Sequence, residues 1–278
     1  MELSLREIIN FCGGTLLSGD ENTVIKGIST DTRTISGDML FIPLKGESFD
    51  GHNFIDAAVE KGAAAVLTQY DSNYTVPAIK VEDTRLAMGK IAAFYLKKLN
   101  IPTVAITGSV GKTTTKDMVA SVLGKHFNVW KTQGNLNNDI GVPLTIFSLL
   151  PTHTAAVIEM GMNHFEEISY LTNIVRPDIA LITNVGVSHI ENLGSREGIL
   201  KAKCEIFEGL KKGGTAIVNG DNDMLATLKG SREDLVFFGT SPEFDVYADN
   251  IKEKGIEGID CTIRKGDKHT YPRQTYGK

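Results

Sequence analysis

Thr103-Val104-Ala105-Ile106-Thr107-Gly108-Ser109-Val110-Gly111-Lys112-Thr113-Thr114-Thr115 joins an apolar, β-branched run to a glycine-flanked turn and then to a lysine followed by threonines. The run predicts a buried strand, and the residues after Lys112 read as the first turn of a helix. Glycines between them let several backbone N–H groups converge on one point. A helix N-terminus carries partial positive charge, and Lys112 adds a full, mobile one. The neighbouring threonine hydroxyl suits Mg²⁺, a hard cation that prefers oxygen. The stretch therefore predicts a site for a nucleoside triphosphate, with Gly108, Ser109, Val110, Gly111, Lys112, Thr113 and Thr114 around its phosphates. The general phosphate-loop pattern has a glycine where this chain has Ile106, so the loop is a shortened version built on Gly108 and Gly111. Nucleotide binding alone names no reaction.

Working outward, 278 residues suffice for one large or two ordinary domains with a full apolar core. An apolar content of 41% and a charged content of 23% are those of a globular chain. No apolar run approaches the roughly 20 residues that cross a bilayer, and the first residues lack the basic-then-apolar order of a signal peptide. Cys12, Cys204 and Cys261 are few, odd in number and widely spaced, which argues against a disulfide framework or a zinc cluster and fits a reducing cytoplasm. A net charge of −5 disfavours non-specific nucleic-acid binding. It leaves phosphate binding open, because local amides and one or two cations suffice for that.

Residues 1–99 read as a small α/β unit. Helical spacing over 3–11 ends at Gly13-Gly14, short strands are expected around 24–28 and 39–43, and a helix over 54–60. Further strands are expected at 64–67 and 78–81, and Thr84 is expected to cap a helix running to about Leu99. Asn100-Ile101-Pro102 marks the boundary. Beyond it, apolar runs at 104–106, 155–158, 179–182, 216–218 and 235–238 alternate with helical stretches, the pattern of a parallel sheet covered on both faces. The first four runs end in polar residues, Thr107, Glu159, Thr183-Asn184 and Asn219, which predict one polar rim at the ligand-binding edge of the sheet. From about Phe244 the alternation gives way to short antiparallel strands at 245–251 and 257–264, with turns at Gly255 and Gly266.

Several further segments follow the loop in order: Asn137-Asn138-Asp139-Ile140-Gly141-Val142-Pro143-Leu144-Thr145, Glu159-Met160-Gly161-Met162-Asn163-His164 and Thr183-Asn184-Val185-Gly186-Val187-Ser188-His189. Gly194-Ser195-Arg196-Glu197-Gly198-Ile199 comes next, running on to Ala202-Lys203-Cys204-Glu205. Ser29-Thr30-Asp31-Thr32-Arg33 and Gly46-Glu47-Ser48-Phe49-Asp50-Gly51-His52 precede it. Together with 107–118, these segments resemble the Mur ligases, the ATP-dependent enzymes that build the peptide stem of bacterial peptidoglycan. Within that family they are most like the D-alanyl-D-alanine-adding member.

The resemblance implies an α/β fold in which residues 1–99 form a small N-terminal UDP-sugar-binding domain. Residues 100–270 would form a P-loop central domain with a mostly parallel sheet covered by helices. Mur ligases have three domains, so it further implies that 271–278 only begin a C-terminal domain and that the chain is an incomplete ligase. The implied reaction moves the γ-phosphoryl group of ATP, with Mg²⁺, onto a carboxylate of UDP-N-acetylmuramoyl-tripeptide. The amine of D-Ala-D-Ala then displaces phosphate from the acyl phosphate. A cytoplasmic monomer is expected.

Such a transfer between anions needs concentrated positive charge and alignment. Lys112 would bridge the β- and γ-phosphates, Thr113 would hold Mg²⁺, and Glu159, at the end of its strand, would be a further metal ligand. By resemblance His189 is a ligand of a second Mg²⁺, Lys203 is carbamylated into an anion that ligates or orients Mg²⁺, and Asn219 contacts adenine. Lys112, Lys203 and His189 are thus the expected catalytic set. Asn137 and Asn138 are expected between nucleotide and sugar peptide, and Asn163 and His164 beside the reacting carboxylate. Ser29, Thr30, Arg33, Gly46, Asp50 and His52 are expected to contact UDP. Three alternatives stand beside this reading: a catalytically inactive nucleotide- or UDP-sugar-binding fragment, another Mur-type carboxylate–amine ligase, and a P-loop regulatory or transport ATPase. The phosphate loop alone would also admit folylpolyglutamate synthetase.

Overall fold

A computed structural model describes residues 1–255, 258–265, 268–270 and 273–274, the last two segments as backbone. The expected turn at Gly266 and most of the expected domain start at 271–278 lie outside the described residues. The fold is mixed α/β with mostly parallel pairing. Two compact units emerge, Met1–Pro102 with Val119–Ile158 and Asn173–Val175, and Thr103–Met118 with Glu159–Thr172 and Arg176–Lys278.

In the first unit the helix Leu5–Cys12 begins at a capping box. Ser4 Oγ accepts the Glu7 N–H at 3.2 Å, and the Glu7 carboxylate accepts the Ser4 N–H at 2.9 Å. Gly13 closes the helix in the left-handed region at φ 76°. A five-stranded sheet follows, with Thr15–Ser18, Ala78–Lys80, Ala65–Thr68, Met39–Phe41 and Gly27–Ser29 as spatial neighbours in that order. All its pairings are parallel except that of Thr15–Ser18. Thr15–Ser18 is a strand that sequence pattern does not announce, being short and half-buried at the sheet edge. Phe41, Ile55, Ala58, Ala63, Val66 and Ala78 make an apolar cluster under the sheet.

The expected cap at Thr84 is corrected: Asp83 is the N-cap of the helix Thr84–Leu99, and its carboxylate accepts the N–H groups of Arg85 and Leu86. A carboxylate caps well and suits the positive end of the helix. Thr84 is instead the first helical residue, and its buried hydroxyl donates to the Pro43 carbonyl at 2.6 Å. This helix contacts the helix Gly141–Phe147. Tyr95 Oη donates to the Leu149 carbonyl at 2.7 Å, and Arg85 pairs with Asp139 at 2.8 Å. The strands Val129–Lys131 and Ala155–Glu159 run parallel in register Ala155↔Val129.

The second unit is built on parallel pairing. Thr103–Thr107 pairs Ile179–Ile182, which pairs Thr215–Asn219, which pairs Leu235–Gly239. These are the apolar runs expected to form strands, and Ala105, Ile106, Ala180, Ile182, Ala216 and Val218 are fully buried within them. Burial on both faces explains their unbroken apolar character. Val246–Glu253 and Ile259–Lys265 then form the expected antiparallel pair, interrupted by a register shift between Asp249 and Lys252. No helix among the described residues is long and apolar enough to cross a membrane.

Candidate active site

The strand Thr103–Thr107 delivers the chain into the glycine loop, and the helix Lys112–Leu123 leaves it. Two glycines are required here for different reasons. Gly111 sits in the left-handed region at φ 77°, which a side chain would strain. Gly108 lies so close to Thr183 that a Cβ would overlap the threonine Oγ1. The Thr115 N–H donates to the Gly111 carbonyl at 2.9 Å, opening the helical ladder. The amides before it, at Lys112, Thr113 and Thr114, are those a helix leaves without an internal partner.

Side chains expected to act together do converge here. Thr113 Oγ1 donates to Glu159 Oε2 at 3.0 Å, and Glu159 is 2% exposed. The strand Ala155–Glu159 is apolar up to that last residue, so a carboxylate is carried to the strand's buried end. Lys112 Nζ donates to the Gly108 carbonyl at 3.0 Å. Lys203 belongs to the helix Arg196–Cys204, which starts where Ser195 Oγ accepts the Gly198 N–H. Ile199, Ala202 and Lys203 share the buried face of that helix, at the i, i+3, i+4 spacing. Lys203 is therefore 2% exposed, and burial, reinforced by the charge of Lys112, pushes its amine down to about 7. Desolvation and the like charge of Lys112 both disfavour the protonated form of Lys203.

The remaining expected residues fare differently. His189 begins the short helix Ile190–Leu193 with φ 64°, and its side chain is exposed, without a hydrogen bond among the described residues. Among the described residues no group of three or more His, Cys, Asp and Glu is gathered as a metal site. Asn219 Oδ1 accepts the Asp221 N–H at 3.1 Å in a local turn. The amides of Asn163 and His164 both donate to the Glu167 carboxylate, whose oxygen also lies 3.2 Å from His164 Nδ1. Burial raises the Glu167 carboxyl, but these hydrogen bonds outweigh it and leave the group below its usual range.

Asn137 and Asn138 belong to the first unit, where Asn138 Oδ1 accepts the Gly141 N–H at 2.8 Å and starts the helix that follows. In the same unit the residues expected to contact UDP are mostly turned inward or onto each other. Ser29 Oγ accepts the Asp31 N–H at 3.0 Å and sits 2.7 Å from Thr34 Oγ1, while Thr30 lies between them in sequence at half-exposed depth. Arg33 grips the Asp31 carboxylate through Nε and Nη2, which holds that carboxyl down at about 2. Gly46 donates its N–H to the Phe49 carbonyl at 2.7 Å. Asp50 accepts the His52 N–H at 2.9 Å, the His52 ring at 2.6 Å and the Tyr70 hydroxyl at 2.9 Å. These bonds outweigh burial and hold its carboxyl at about 2. His52 Nε2 accepts the Gln69 N–H at 3.1 Å, so Nδ1 carries the proton shared with Asp50.

Residues absent from the expected site set complete the loop region. Asn184 and Thr183 bind the glycine loop itself, and Arg196 donates to the Val185 carbonyl at 3.0 Å while pairing with Asp223. The sequence signal for Thr183 and Asn184 is the polar end of the third apolar run, which marks a rim but not a contact; Arg196 carries no such signal.

The structure also resembles known proteins. A family model described as the Mur ligase family, catalytic domain, matches residues 24–96, and the Mur ligase middle domain matches 106–278. UDP-N-acetylmuramoyl-tripeptide--D-alanyl-D-alanine ligase of Bacillus subtilis is 43% identical over 270 residues, covering 94% of this chain and 59% of the relative. The Haemophilus influenzae protein of the same name is 48% identical over 214 residues, covering 75% of this chain and 47% of its own length. A crystal structure of MurF from Acinetobacter baumannii superposes with a TM-score of 0.92 at 32% identity, over 100% of this chain and 61% of that one. The Thermotoga maritima MurF ligase in complex with ADP gives a TM-score of 0.79 at 29% identity, over 88% of this chain and 57% of that one. This chain thus spans about half to three-fifths of the length of these relatives. The middle-domain match alone extends over more than half of its residues, and the chain belongs to the Mur ligase family.

Proposed function

We propose that the chain carries the UDP-substrate-binding and ATP-binding parts of an ADP-forming ligase that adds D-alanyl-D-alanine to UDP-N-acetylmuramoyl-tripeptide. The observation that supports this most is the meeting of Thr113 and Glu159 at 3.0 Å beside Lys112 at the glycine loop, with the buried Lys203 within electrostatic reach of Lys112. In this reading residues 1–99 hold the UDP-sugar and 100–270 the nucleotide. The names of the relatives supply the substrate pair, and the ADP complex of the Thermotoga protein supports the nucleotide.

Lys112 leaves the Gly108 carbonyl and follows the β- and γ-phosphates, while the amides of residues 111–114 hold phosphate oxygens in place. A buried carboxylate beside a hydroxyl is the small oxygen donor set that Mg²⁺ uses together with phosphate and water, so Glu159 and Thr113 fit that ion. Bound there, Mg²⁺ would supply neutralisation of charge on the transferring phosphoryl group. The substrate carboxylate attacks the γ-phosphorus, its bond to the β–γ bridging oxygen breaks, and ADP leaves with that electron pair. The resulting acyl phosphate is attacked by the D-Ala-D-Ala amine, which loses a proton as phosphate departs.

Lys203 enters as a carbamate. A desolvated amine held at about 7 has a substantial neutral fraction at physiological pH. It can add to CO₂, forming an N–C bond and releasing one proton, and the anion so made faces Lys112. His189 as a ligand of a second Mg²⁺ and Asn219 as an adenine contact belong to the same proposal, as do Asn163 and His164 beside the carboxylate. Ser29, Thr30, Arg33, Gly46, Asp50 and His52 remain the proposed UDP loop set, and several would act through the backbone they shape.

The test is ADP release with ATP, UDP-N-acetylmuramoyl-tripeptide and D-Ala-D-Ala. It is run with this chain and with this chain joined to the remaining segment of the Bacillus subtilis relative. Amide formation in either form supports the ligase. Substrate binding without turnover in both forms would favour a binding module, and turnover only with another amine would favour a different Mur-type ligase.

A further inference from the structure

The glycine loop was expected to spend the amides of Ser109 and Val110 on phosphate. They are already spent inside the protein. Asn184 Oδ1 accepts both, at 3.0 Å from Ser109 N and 3.0 Å from Val110 N. The Asn184 carbonyl lies a further 3.1 Å from Ser109 N. On either side, Thr183 Oγ1 donates to the Val110 carbonyl at 2.7 Å, and Gly186 N–H donates to Ser109 Oγ at 2.9 Å. The contact is close enough that position 108 has no room for a Cβ.

The segment that grips the loop is itself held from behind. Asn222 Oδ1 accepts the Val185 N–H at 3.4 Å and its Nδ2 donates to the Val185 carbonyl at 3.3 Å. Arg196 donates to that same carbonyl at 3.0 Å while gripping Asp223. One amide side chain thus bridges two backbone donors of the loop from a segment anchored at the neighbouring Val185 peptide.

We propose that Asn184 is a positioning residue of the phosphate site. It fixes residues 108–110 in advance, so the cradle is formed by the amides from Gly111 to Thr114 with Lys112, while Ser109 and Val110 do not bind phosphate. The proposal rests on the nucleotide-site reading of the loop. It deepens that reading by dividing the expected contact residues into holders and binders. Holding the loop before the nucleotide arrives removes an ordering cost from binding.

The test uses the whole chain and needs no ligation. Amide exchange at Ser109 and Val110 is measured without nucleotide, and ADP affinity by titration calorimetry. Asn184→Ala is expected to speed exchange at both amides and weaken ADP binding, each about tenfold or more. Asn184→Asp retains an acceptor and is expected to keep both amides slow. If Asn184→Ala does not fold, Thr183→Val, which deletes only the hydroxyl donated to Val110, is expected to shift both readouts in the same direction by a smaller factor. Unchanged exchange, or faster exchange with unaltered ADP affinity, overturns the proposal. New protection of Ser109 and Val110 on adding ADP to Asn184→Ala, with full affinity, would return those amides to the phosphate and overturn it too. Absence of ADP binding by the unaltered chain would sink the nucleotide reading instead, while the exchange arm would still judge the hold on the loop.

Discussion

The glycine loop at 108–114 and the loop at 46–52 both announce themselves in the sequence by glycines next to charged or polar groups, yet they use those groups in opposite ways. At the first, two lysines are drawn toward one place and Lys203 is desolvated so far that its amine falls to about 7. At the second, Asp50 and His52 find their partners within the fold, and the Asp50 carboxylate satisfies a backbone amide, an imidazole and a phenol at once. Uncompensated charge is costly and persists where a ligand repays it, whereas a satisfied network mainly fixes shape. The contrast separates residues that act on a ligand from residues that build the loop presenting it.

The strongest way to break that comparison is Lys112→Ala. If the lysine acts on phosphate, ADP release should fall by on the order of 10²–10³ with little change in thermal midpoint. A loss of less than threefold in a turnover assay would place Lys112 among the shape-forming residues.

Next comes the pH dependence of stability. The folded Lys203 amine, held at about 7, lies below its value in the unfolded chain, 10.5. Between these values the unfolded state binds the extra proton, so unfolding becomes harder as pH rises, by up to about 1.4 kcal/mol per pH unit. Cys204, pushed up to about 11 from 9.0 by burial, contributes the opposite slope between those values and so offsets the climb above pH 9. In CO₂-free buffer the denaturation midpoint should therefore climb from pH 7 to 9, and Lys203→Met should flatten that climb. An identical slope in both proteins would show that the Lys203 amine is not desolvated at a cost to the fold.

Asp50→Ala should show the opposite signature to Lys112→Ala. Asp50 caps the short helix Gly51–Phe54, and losing that cap and the bond to the His52 ring should cost about 1 kcal/mol or more, read by urea denaturation. ADP affinity should stay put. Smallest of all, Arg33→Ala removes an ion pair whose arginine side chain is 84% exposed, and the thermal midpoint should not move. A drop in UDP-substrate affinity in that variant would show that a residue paired within the fold also acts on a ligand.

The central strands were readable because both faces of each are covered, which forces unbroken apolar runs. The phosphate loop was readable because its backbone geometry demands glycine at 108 and 111. Thr15–Ser18 and Val129–Lys131 escaped because short, half-buried strands carry neither signal. At Asp83 and Thr84 two good capping residues stand side by side, and only the reach of Thr84 to the Pro43 carbonyl decides between them. The partnership of Asn184 with Ser109 and Val110, like that of Arg85 with Asp139, joins positions more than fifty residues apart. No local period records such pairs, so the polar strand ends were legible while their partners were not.

The crowding of Gly108 against Thr183 has an evolutionary consequence. A codon change that adds any side chain at 108 meets a hydroxyl from a distant part of the gene, so it is harmful by itself even if the loop's chemistry is preserved. It becomes less so only when position 183 shrinks in the same lineage, and that shrinkage forfeits the bond to the Val110 carbonyl. A side chain at 108 is thus open only to a lineage that has already given up the threonine at 183 and its bond to the loop.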